Sequence, residues 1–218
     1  MFKLISVRYK DILYIEELEI LENKVTCIVG ESGSGKSTLL RLLNKLISCD
    51  SGEIFYKDCP INDINSIELR RNVVMLPQQP VIFSGTIKDN LLIGLKFSDK
   101  PEVDDTKLHM VLDMVNLNKE LSTDAEKLSG GEKQRLGLAR VILLEPEVFL
   151  LDEPSSALDE NTEKTIIEKL VQYREITNKT VVMVTHSKKT ALSYSDSIIE
   201  ITKGRISARK ENIKNEYQ

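Results

Sequence analysis

The strongest constraint on the fold comes from residues 25–38, where a short apolar run leads through a glycine-rich turn into an apolar-periodic segment. The turn contains the pattern G-x-x-x-x-G-K-[ST] between Gly30 and Ser37. Glycines allow backbone N–H groups to curl around a polyphosphate, and the helix that follows presents its positive dipole end there. Because strand, loop and helix follow in the order that this chemistry requires, the stretch predicts a nucleotide site.

Two residues of this turn have specific expected roles. We expect Lys36 to reach the β- and γ-phosphates of ATP as a point charge, and Ser37 to offer its hydroxyl oxygen to Mg²⁺. A flexible turn without a ligand is the alternative interpretation, whereas a dinucleotide turn fails because Thr38 stands where a third glycine is needed. The predicted phosphate-binding residues are Gly30, Glu31, Ser32, Gly33, Ser34, Gly35, Lys36, Ser37 and Thr38.

The amino-acid composition limits the class of protein in which this predicted nucleotide site can occur. With 218 residues, of which 41% are hydrophobic and 29% charged, the chain is typical of a soluble globular protein. No apolar run approaches the roughly 20 residues that span a bilayer, so any membrane role is expected to go through a partner. A net charge of −4 argues against nucleic-acid binding. Three cysteines without C-x-x-C spacing make a zinc site unexpected and favour the cytosol.

Hydrophobic periodicity predicts an α/β chain interrupted by a mainly helical insertion, from about residue 80 to 144, within one domain spanning residues 1–218. The predicted strands cover residues 2–7, 14–21, 25–29, 53–56, 73–76, 148–151, 181–185 and 198–201, with a last one at Ile206. The predicted helices cover residues 36–47, 66–69, 108–115, 129–146, 162–176 and 188–193, and another starts at Thr86. The polar residues 209–218 are expected to form a loose helix or a frayed tail.

Two carboxylates, Asp152 and Glu153, follow the apolar strand predicted at residues 148–151. Ligands of parallel α/β sheets bind outside the carboxyl ends of the strands, where Asp152 and Glu153 are expected to lie. Oxygen ligands suit a nucleotide-bound Mg²⁺, which makes Asp152 the candidate ion holder. Hydrolysis also needs a group that orients or deprotonates the attacking water, and Glu153 suits that role. The alternative is two solvated acids at the end of a strand.

A second candidate anion site is the start of a helix at Ser129, Gly130 and Gly131. The spacing from Ser129 to Glu132 is also that of a helix capping box, which needs no ligand. Two glycines in a first helical turn cost up to about 1 kcal/mol each relative to alanine, however, and a capping box does not require them. Bare backbone at a helix N-terminus suits close approach of phosphate oxygens.

Taken together, these motifs resemble the ATP-binding cassette of ABC transporters over nearly the whole chain. The matching segments are the Walker A loop at residues 30–38, the Q-loop around Gln78, the signature at residues 128–135, the Walker B strand at residues 148–153, the D-loop at residues 156–159 and the switch histidine His186. The resemblance implies a P-loop NTPase fold with a RecA-like parallel-sheet core. It also implies an N-terminal antiparallel β subdomain and an inserted α-helical subdomain.

The resemblance further implies that two cassettes pack head to tail on binding ATP and Mg²⁺. Ser129, Gly130 and Gly131 of one copy would then contact the γ-phosphate held by the other copy. Gln78 would sense Mg²⁺ and couple to the membrane partner, and His186 would position the γ-phosphate together with Glu153. Tyr9 matches the aromatic residue that stacks on adenine, with packing against the sheet as the alternative. His109 matches no motif and is expected at the surface or in packing.

The function that this resemblance implies is an ATP-hydrolysing subunit of an ABC transporter. The expected partners are a separate integral-membrane permease and a second cassette, identical or different, on the cytoplasmic face of the cell membrane. The small size is similar to that of bacterial two-component exporter subunits. Two other classes stay open: an ABC ATPase acting in DNA repair or translation, and a nucleotide-gated binding module without turnover.

Overall fold

The computed structural model describes residues 1–211, in which the strands form two sheets. The strands are β1 (Phe2–Tyr9), β2 (Leu13–Ile20), β3 (Val25–Val29), β4 (Ser51–Tyr56), β5 (Cys59–Pro60), β6 (Val73–Leu76), β7 (Val148–Asp152), β8 (Thr180–Val184), β9 (Ser197–Thr202) and β10 (Arg205–Glu211). The helices are α1 (Lys36–Leu43), α2 (Ser66–Asn72), α3 (Ile87–Phe97), α4 (Asp105–Met114), α5 (Gly130–Leu143), α6 (Glu160–Thr177) and α7 (Lys188–Tyr194). Short 3₁₀ turns lie at Ile61–Asp63 and Ala125–Lys127.

The first sheet has the strand order β2-β1-β4-β5, with antiparallel pairing throughout. Its β1 strand alternates buried Phe2 and Leu4 with exposed neighbours, as expected of a sheet with one face on the core. The second sheet has the order β10-β9-β3-β8-β7-β6, and all of its pairs are parallel except β9 with β10. The predicted combination of a parallel core and an N-terminal antiparallel sheet is confirmed.

Both faces of the parallel sheet are covered, and each face belongs to a different hydrophobic cluster. In β7, Val148 and Leu150 pack in the cluster shared with α1 and the antiparallel sheet. Phe149 and Leu151 point the other way, into the cluster that includes α3, α4 and α5. Because successive side chains of a strand alternate between faces, a strand buried on both sides must be apolar along its whole length. This requirement explains the unbroken apolar runs of the sequence.

The helices α3, α4 and α5 follow β6 and precede β7, so they lie within the predicted insertion. The helix α3 begins with a capping box, in which Thr86 accepts from the Asp89 N–H and Asp89 accepts from the Thr86 N–H. Within residues 1–211, no helix combines the length and the apolar character needed to cross a bilayer.

Several predicted bounds differ from the structure by a few residues, as for α5, which ends at Leu143 and not at residue 146. Two of the differences have a visible structural cause. The helix α1 ends at Leu43 instead of continuing to about residue 47, because Asn44 leaves the helical conformation and Lys45 has a left-handed φ of +55°. Residues 209–211 belong to β10 and pair with β9, so the prediction of a loose tail was wrong for them. The rest of that predicted tail, residues 212–218, lies outside the described residues.

Candidate active site

The predicted site residues follow four neighbouring strands of the parallel sheet at the same edge. The order β3-β8-β7-β6 sets their carboxyl ends side by side. The helix α1 starts seven residues after β3 ends, and Glu153 follows β7 directly. Gln78 and His186 each come two residues after their strands, β6 and β8. Site residues that are far apart in sequence therefore lie at the same edge of the sheet.

The glycine-rich loop needs glycine at two of its positions. Gly30 has a φ of +148°, and a Cβ there would lie 2.1 Å from the Ile201 backbone oxygen. Gly35 has a φ of +103° and caps α1, and a Cβ there would lie 3.0 Å from the Leu13 side chain. A residue with a side chain would therefore meet both steric contact and an unfavourable backbone conformation. The loop curls in this way because these positions lack a Cβ.

Lys36 is folded back over this loop. Its ammonium Nζ donates to the Gly30 carbonyl oxygen at 2.8 Å and to the Glu31 carbonyl oxygen at 2.7 Å. The residue is only 5% exposed, and burial lowers the pKa of its ammonium, while Glu153 and Asp152 act in the opposite direction. The positive charge is thus held at the mouth of the loop, the place where phosphate oxygens are expected.

A further observation in the loop points to a missing hydrogen-bond partner. The Ser34 hydroxyl is buried, and no partner for it is present among the described residues. Buried polar groups are nearly always hydrogen-bonded in native proteins, so an orphan hydroxyl in a phosphate-binding pattern fits a loop built for a ligand. Together with the lysine ammonium and the backbone at the start of α1, the donor set fits a polyphosphate.

Ser37 and Asp152 supply an oxygen pair next to the loop. The Ser37 hydroxyl donates to Asp152 Oδ1 at 3.0 Å, and Asp152 is 4% exposed. Burial raises the pKa of the Asp152 carboxyl, and the nearby Glu153 adds to this effect. Mg²⁺ takes hard oxygen ligands and is usually held by one or two protein groups plus substrate phosphates. The pair fits Mg²⁺, and residues 1–211 contain no larger cluster of His, Cys, Asp and Glu for another metal.

Glu153 is the centre of a group of three side chains. Gln78 Nε2 donates to Glu153 Oε2 at 2.7 Å, and His186 Nε2 lies 2.7 Å from Glu153 Oε1. Each carboxylate oxygen therefore has its own partner, from a loop after a different strand. The Glu153 backbone has a left-handed φ of +50°, which is uncommon for a residue with a side chain. The carboxylate is held in a fixed place at the edge of the sheet.

The start of α5 forms the capping box that was the alternative interpretation of the second anion site. The Ser129 hydroxyl accepts from the Glu132 N–H at 3.3 Å, and Glu132 Oε2 accepts from the Ser129 N–H at 2.8 Å. The hydroxyl proton of Ser129 and the N–H groups of Gly130 and Gly131 are not used by this motif. In the part of the chain that the structure describes, no hydrogen bond links this helix start to the Gly30 loop.

Comparisons with known proteins decide the family. The ABC transporter family profile matches residues 16–156, which is more than half of the chain. This chain belongs to the ABC transporter family. Among curated relatives, "Protein STAR1" of Oryza sativa subsp. japonica is 38% identical over 92% of this chain and 58% of its own length. The "Lactococcin-A transport/processing ATP-binding protein LcnC" of Lactococcus lactis is 39% identical over 87% of this chain and 27% of its own length.

A solved structure shows the same fold over almost its entire length. The cassette in "Dimeric structure of a post-hydrolysis state of the ATP-binding cassette MJ0796 bound to ADP and Pi" superposes with a TM-score of 0.86 and 29% identity. The match covers 97% of this chain and 98% of that one. The chain is an ATPase cassette of the ABC transporter family, and it spans just over half of the rice relative and about a quarter of the lactococcin protein.

Two other residues of this ABC cassette were singled out from the sequence. Tyr9 ends β1, is half-buried against the cluster of the antiparallel sheet, and has Lys10 Nζ 5.2 Å from its ring centroid. It pairs with Leu13, whose side chain lies next to Gly35, so Tyr9 is near the loop. His109 is exposed on α4.

One residue of the cassette that the sequence did not single out contacts the site. Gln134 is 2% exposed on α5 and hydrogen-bonds the loop that carries Glu153. A signal was available: Gln134 lies four residues before the buried Leu138, on the apolar stripe of α5. An amide on such a stripe needs a buried partner.

Proposed function

We propose that this chain is the ATP-hydrolysing subunit of a transporter and drives a separate membrane permease. The observation that supports this most directly is the shared carboxylate of Glu153, with Gln78 on one oxygen and His186 on the other. Glu153 follows β7, and only β8 lies between β7 and β3, the strand that leads into the loop of the phosphate-binding lysine. This arrangement supports a site in which a base, its orienting groups and a phosphate cradle share one edge of the sheet.

In the proposed mechanism, the loop from Gly30 to Thr38 binds the triphosphate through its backbone N–H groups. The Lys36 ammonium exchanges its two carbonyl partners for β- and γ-phosphate oxygens. Tyr9 stacks on the adenine. Mg²⁺ would be held by Ser37, Asp152 and Gln78, and it would neutralise the charge that develops on the phosphates.

Glu153 acts on the water in this proposal. Its carboxylate accepts a proton from, or orients, the water that attacks the γ-phosphate. His186 Nε2 lies 2.7 Å from Glu153 Oε1 and orients this carboxylate, and a ring that carries a proton on each nitrogen also donates toward the γ-phosphate. Because each oxygen of Glu153 is already engaged, the carboxylate loses little freedom when the substrate binds.

The site of one chain is incomplete in this proposal. Ser129, Gly130 and Gly131 start α5 with unused donors, and they contact the γ-phosphate held by a second copy or a second cassette. The capping box supports this arrangement, because it uses the Ser129 oxygen as an acceptor and leaves its proton free. The permease partner and the cytoplasmic face of the membrane belong to the same proposal, and co-purification of a membrane protein with the full chain tests them.

The test of hydrolysis is the variant Glu153→Gln. The amide keeps the size and one acceptor oxygen, so ATP binding should persist while turnover falls by at least about 100-fold. An ATP-bound dimer should then accumulate, measured by light scattering after gel filtration. Glu68→Gln, an exposed change on α2, is the matched control and should retain full activity. Turnover of Glu153→Gln at the wild-type rate would exclude Glu153 as the base.

A further inference from the structure

Gln134 connects the signature helix α5 to the loop that follows β7. Its Nε2 donates to the Glu153 carbonyl oxygen at 2.7 Å and lies 3.3 Å from Ser156 Oγ. Its Oε1 accepts from the Ala157 N–H at 3.0 Å. One buried side chain therefore contacts three residues of this loop, and both ends of its amide are used.

The carbonyl that Gln134 holds belongs to a residue in an unfavourable conformation. The φ of Glu153 is +50°, and such a left-handed conformation costs of order 1–3 kcal/mol for a residue with a side chain. It persists only where the surroundings fix the backbone on both sides. The Glu153 N–H is fixed by the Val184 carbonyl oxygen at 3.1 Å. On the other side, its carbonyl accepts from Gln134 and, at 3.2 Å, from the Ser156 N–H.

Two other contacts keep α5 against the loops of the site. A Cβ at Gly131 would lie 3.0 Å from the Ala157 backbone oxygen, so the helix backbone and the loop are in close contact. A Cβ at Gly137 would lie 2.6 Å from Pro80, two residues after Gln78. The same helix thus touches the segment that carries Glu153 and the segment that carries Gln78. A shift of α5 changes the position of both.

We propose that Gln134 is a positioning residue for hydrolysis: it holds the Glu153 backbone in the conformation that aims the carboxylate between Gln78 and His186. This inference rests on the proposed role of Glu153. It gives α5 a function within its own subunit, in addition to the proposed contact of its N-terminus with the partner's nucleotide. Within residues 1–211, the hydrogen bonds of the Gln134 side chain go to residues 153–157 and not to the loop at residues 30–38, so ATP binding and turnover should respond differently to its loss.

The first variant is Gln134→Leu, which keeps most of the volume and removes both ends of the amide. We expect kcat for ATP to fall about 10- to 100-fold, because a displaced base loses alignment, while KM and the Kd for ATP change less than about threefold. The matched control is Gln172→Leu, the same change at an exposed position of α6. A folded Gln134→Leu protein with the kcat of the control would overturn the proposal.

A second variant keeps the proposal testable if Gln134→Leu does not fold. In Gln134→Glu, an ionised carboxylate faces the Glu153 carbonyl oxygen without a proton to donate, whereas the protonated acid restores that hydrogen bond. Burial favours the neutral acid, so the ratio of variant to wild-type kcat should rise several-fold from about pH 8 to about pH 6. A ratio that stays flat over this range would contradict the role of Gln134 as a donor to Glu153.

The two proposals fail in different ways. If the wild-type chain hydrolyses ATP and Glu153→Gln abolishes turnover, the proposed function holds whatever Gln134→Leu does. Normal kcat in Gln134→Leu would then remove the positioning role alone. If Glu153→Gln turns over like wild type, the assignment of Glu153 fails first, and the role of Gln134 fails with it.

Discussion

At the scale of single residues, Asp152 shows a conflict between stability and function. Its carboxyl is 4% exposed, and burial raises its pKa. A carboxyl with a raised folded-state pKa binds protons more readily when folded than when unfolded. Its contribution to the free energy of unfolding therefore decreases as pH rises from the unfolded-state pKa through the folded-state pKa, and the cost is complete above the latter. In the proposed function the charge is retained because Mg²⁺ would need an oxygen ligand there.

We therefore predict that Asp152→Asn stabilises the nucleotide-free protein and inactivates it. The amide keeps the acceptor for Ser37 and removes the buried charge, so the melting temperature at pH 7 should rise. In a chain of this size, about 2–4 °C corresponds to about 1 kcal/mol. Mg²⁺-dependent ATP hydrolysis should fall at least about 100-fold.

The exposed change Asp113→Asn on α4 is the control for this prediction and should alter neither the melting temperature nor the rate. Scanning calorimetry at pH 7 and at about pH 4 compares the melting temperatures of Asp152→Asn and wild type. The gain in melting temperature should be smaller at the lower pH, where the wild-type carboxyl takes up a proton. A melting temperature for Asp152→Asn clearly below that of the wild type at pH 7 would show that the charge stabilises the fold.

Much of the site could be predicted residue by residue, because each key residue closes or follows an apolar strand. Lys36, Asp152 and Glu153 lie at the sheet edge that the motif order indicated. The common contact of Gln78 and His186 with Glu153 could not be predicted from the residues. It depends on the strand order β8-β7-β6 and on a left-handed φ at Glu153, and local sequence specifies neither.

At the scale of an element, the start of α5 forms a capping box and also fits the proposed phosphate contact, which the sequence presented as alternatives. The capping box satisfies the N–H groups of Ser129 and Glu132, and it leaves those of Gly130 and Gly131 available. The hydrogen bond from the Ser129 N–H lowers the pKa of the Glu132 carboxyl, and the approach of Lys119 acts in the same direction. A structural cap and a phosphate contact are compatible in one turn.

We predict that Glu132→Ala destabilises the fold by about 1 kcal/mol at neutral pH, because it removes a charge-assisted bond to the Ser129 N–H. A carboxyl with a lowered folded-state pKa contributes stability that is complete above its unfolded pKa and is lost as pH falls through the folded one. The difference between wild type and variant should therefore disappear in acid. Glu132→Gln keeps an acceptor oxygen and should therefore lose less stability than Glu132→Ala.

Urea unfolding of the three proteins at about pH 7 and at strongly acid pH measures this effect. The prediction fails if Glu132→Ala matches wild type at pH 7, or if its deficit is the same at both pH values. In that case the capping box would contribute nothing to the free energy of unfolding. The sequence of this turn would then be explained by its two glycines alone.

The end of α1 and the extent of β10 could not be predicted from the sequence. The apolar pattern of α1 continues past Leu43, but Lys45 turns away with a left-handed φ and donates to the Ile64 carbonyl oxygen at 2.8 Å. A tertiary contact therefore ends this helix. Residues 209–211 are polar and exposed, yet they pair with β9, because backbone hydrogen bonds at a sheet edge tolerate polar side chains.

At the scale of the whole molecule, the two hydrophobic clusters divide the cassette along the parallel sheet. One cluster joins the sheet to α1 and the antiparallel strands, and the other joins it to α3, α4 and α5. Lys36 begins a helix in the first cluster, whereas Ser129 caps a helix in the second. The two parts of the proposed nucleotide site thus lie on opposite sides of the sheet within one chain. A second copy packed head to tail would bring them together.

The most direct test of this account is complementation between two inactive variants, Lys36→Ala and Ser129→Arg, mixed as purified full chains. If each site combines Lys36 of one copy with Ser129 of the other, the mixed dimer contains one site with both residues intact. With random pairing and independent sites, about a quarter of wild-type ATPase turnover should return. A mixture as inactive as each variant alone, although both variants fold and associate, would contradict a site shared between copies.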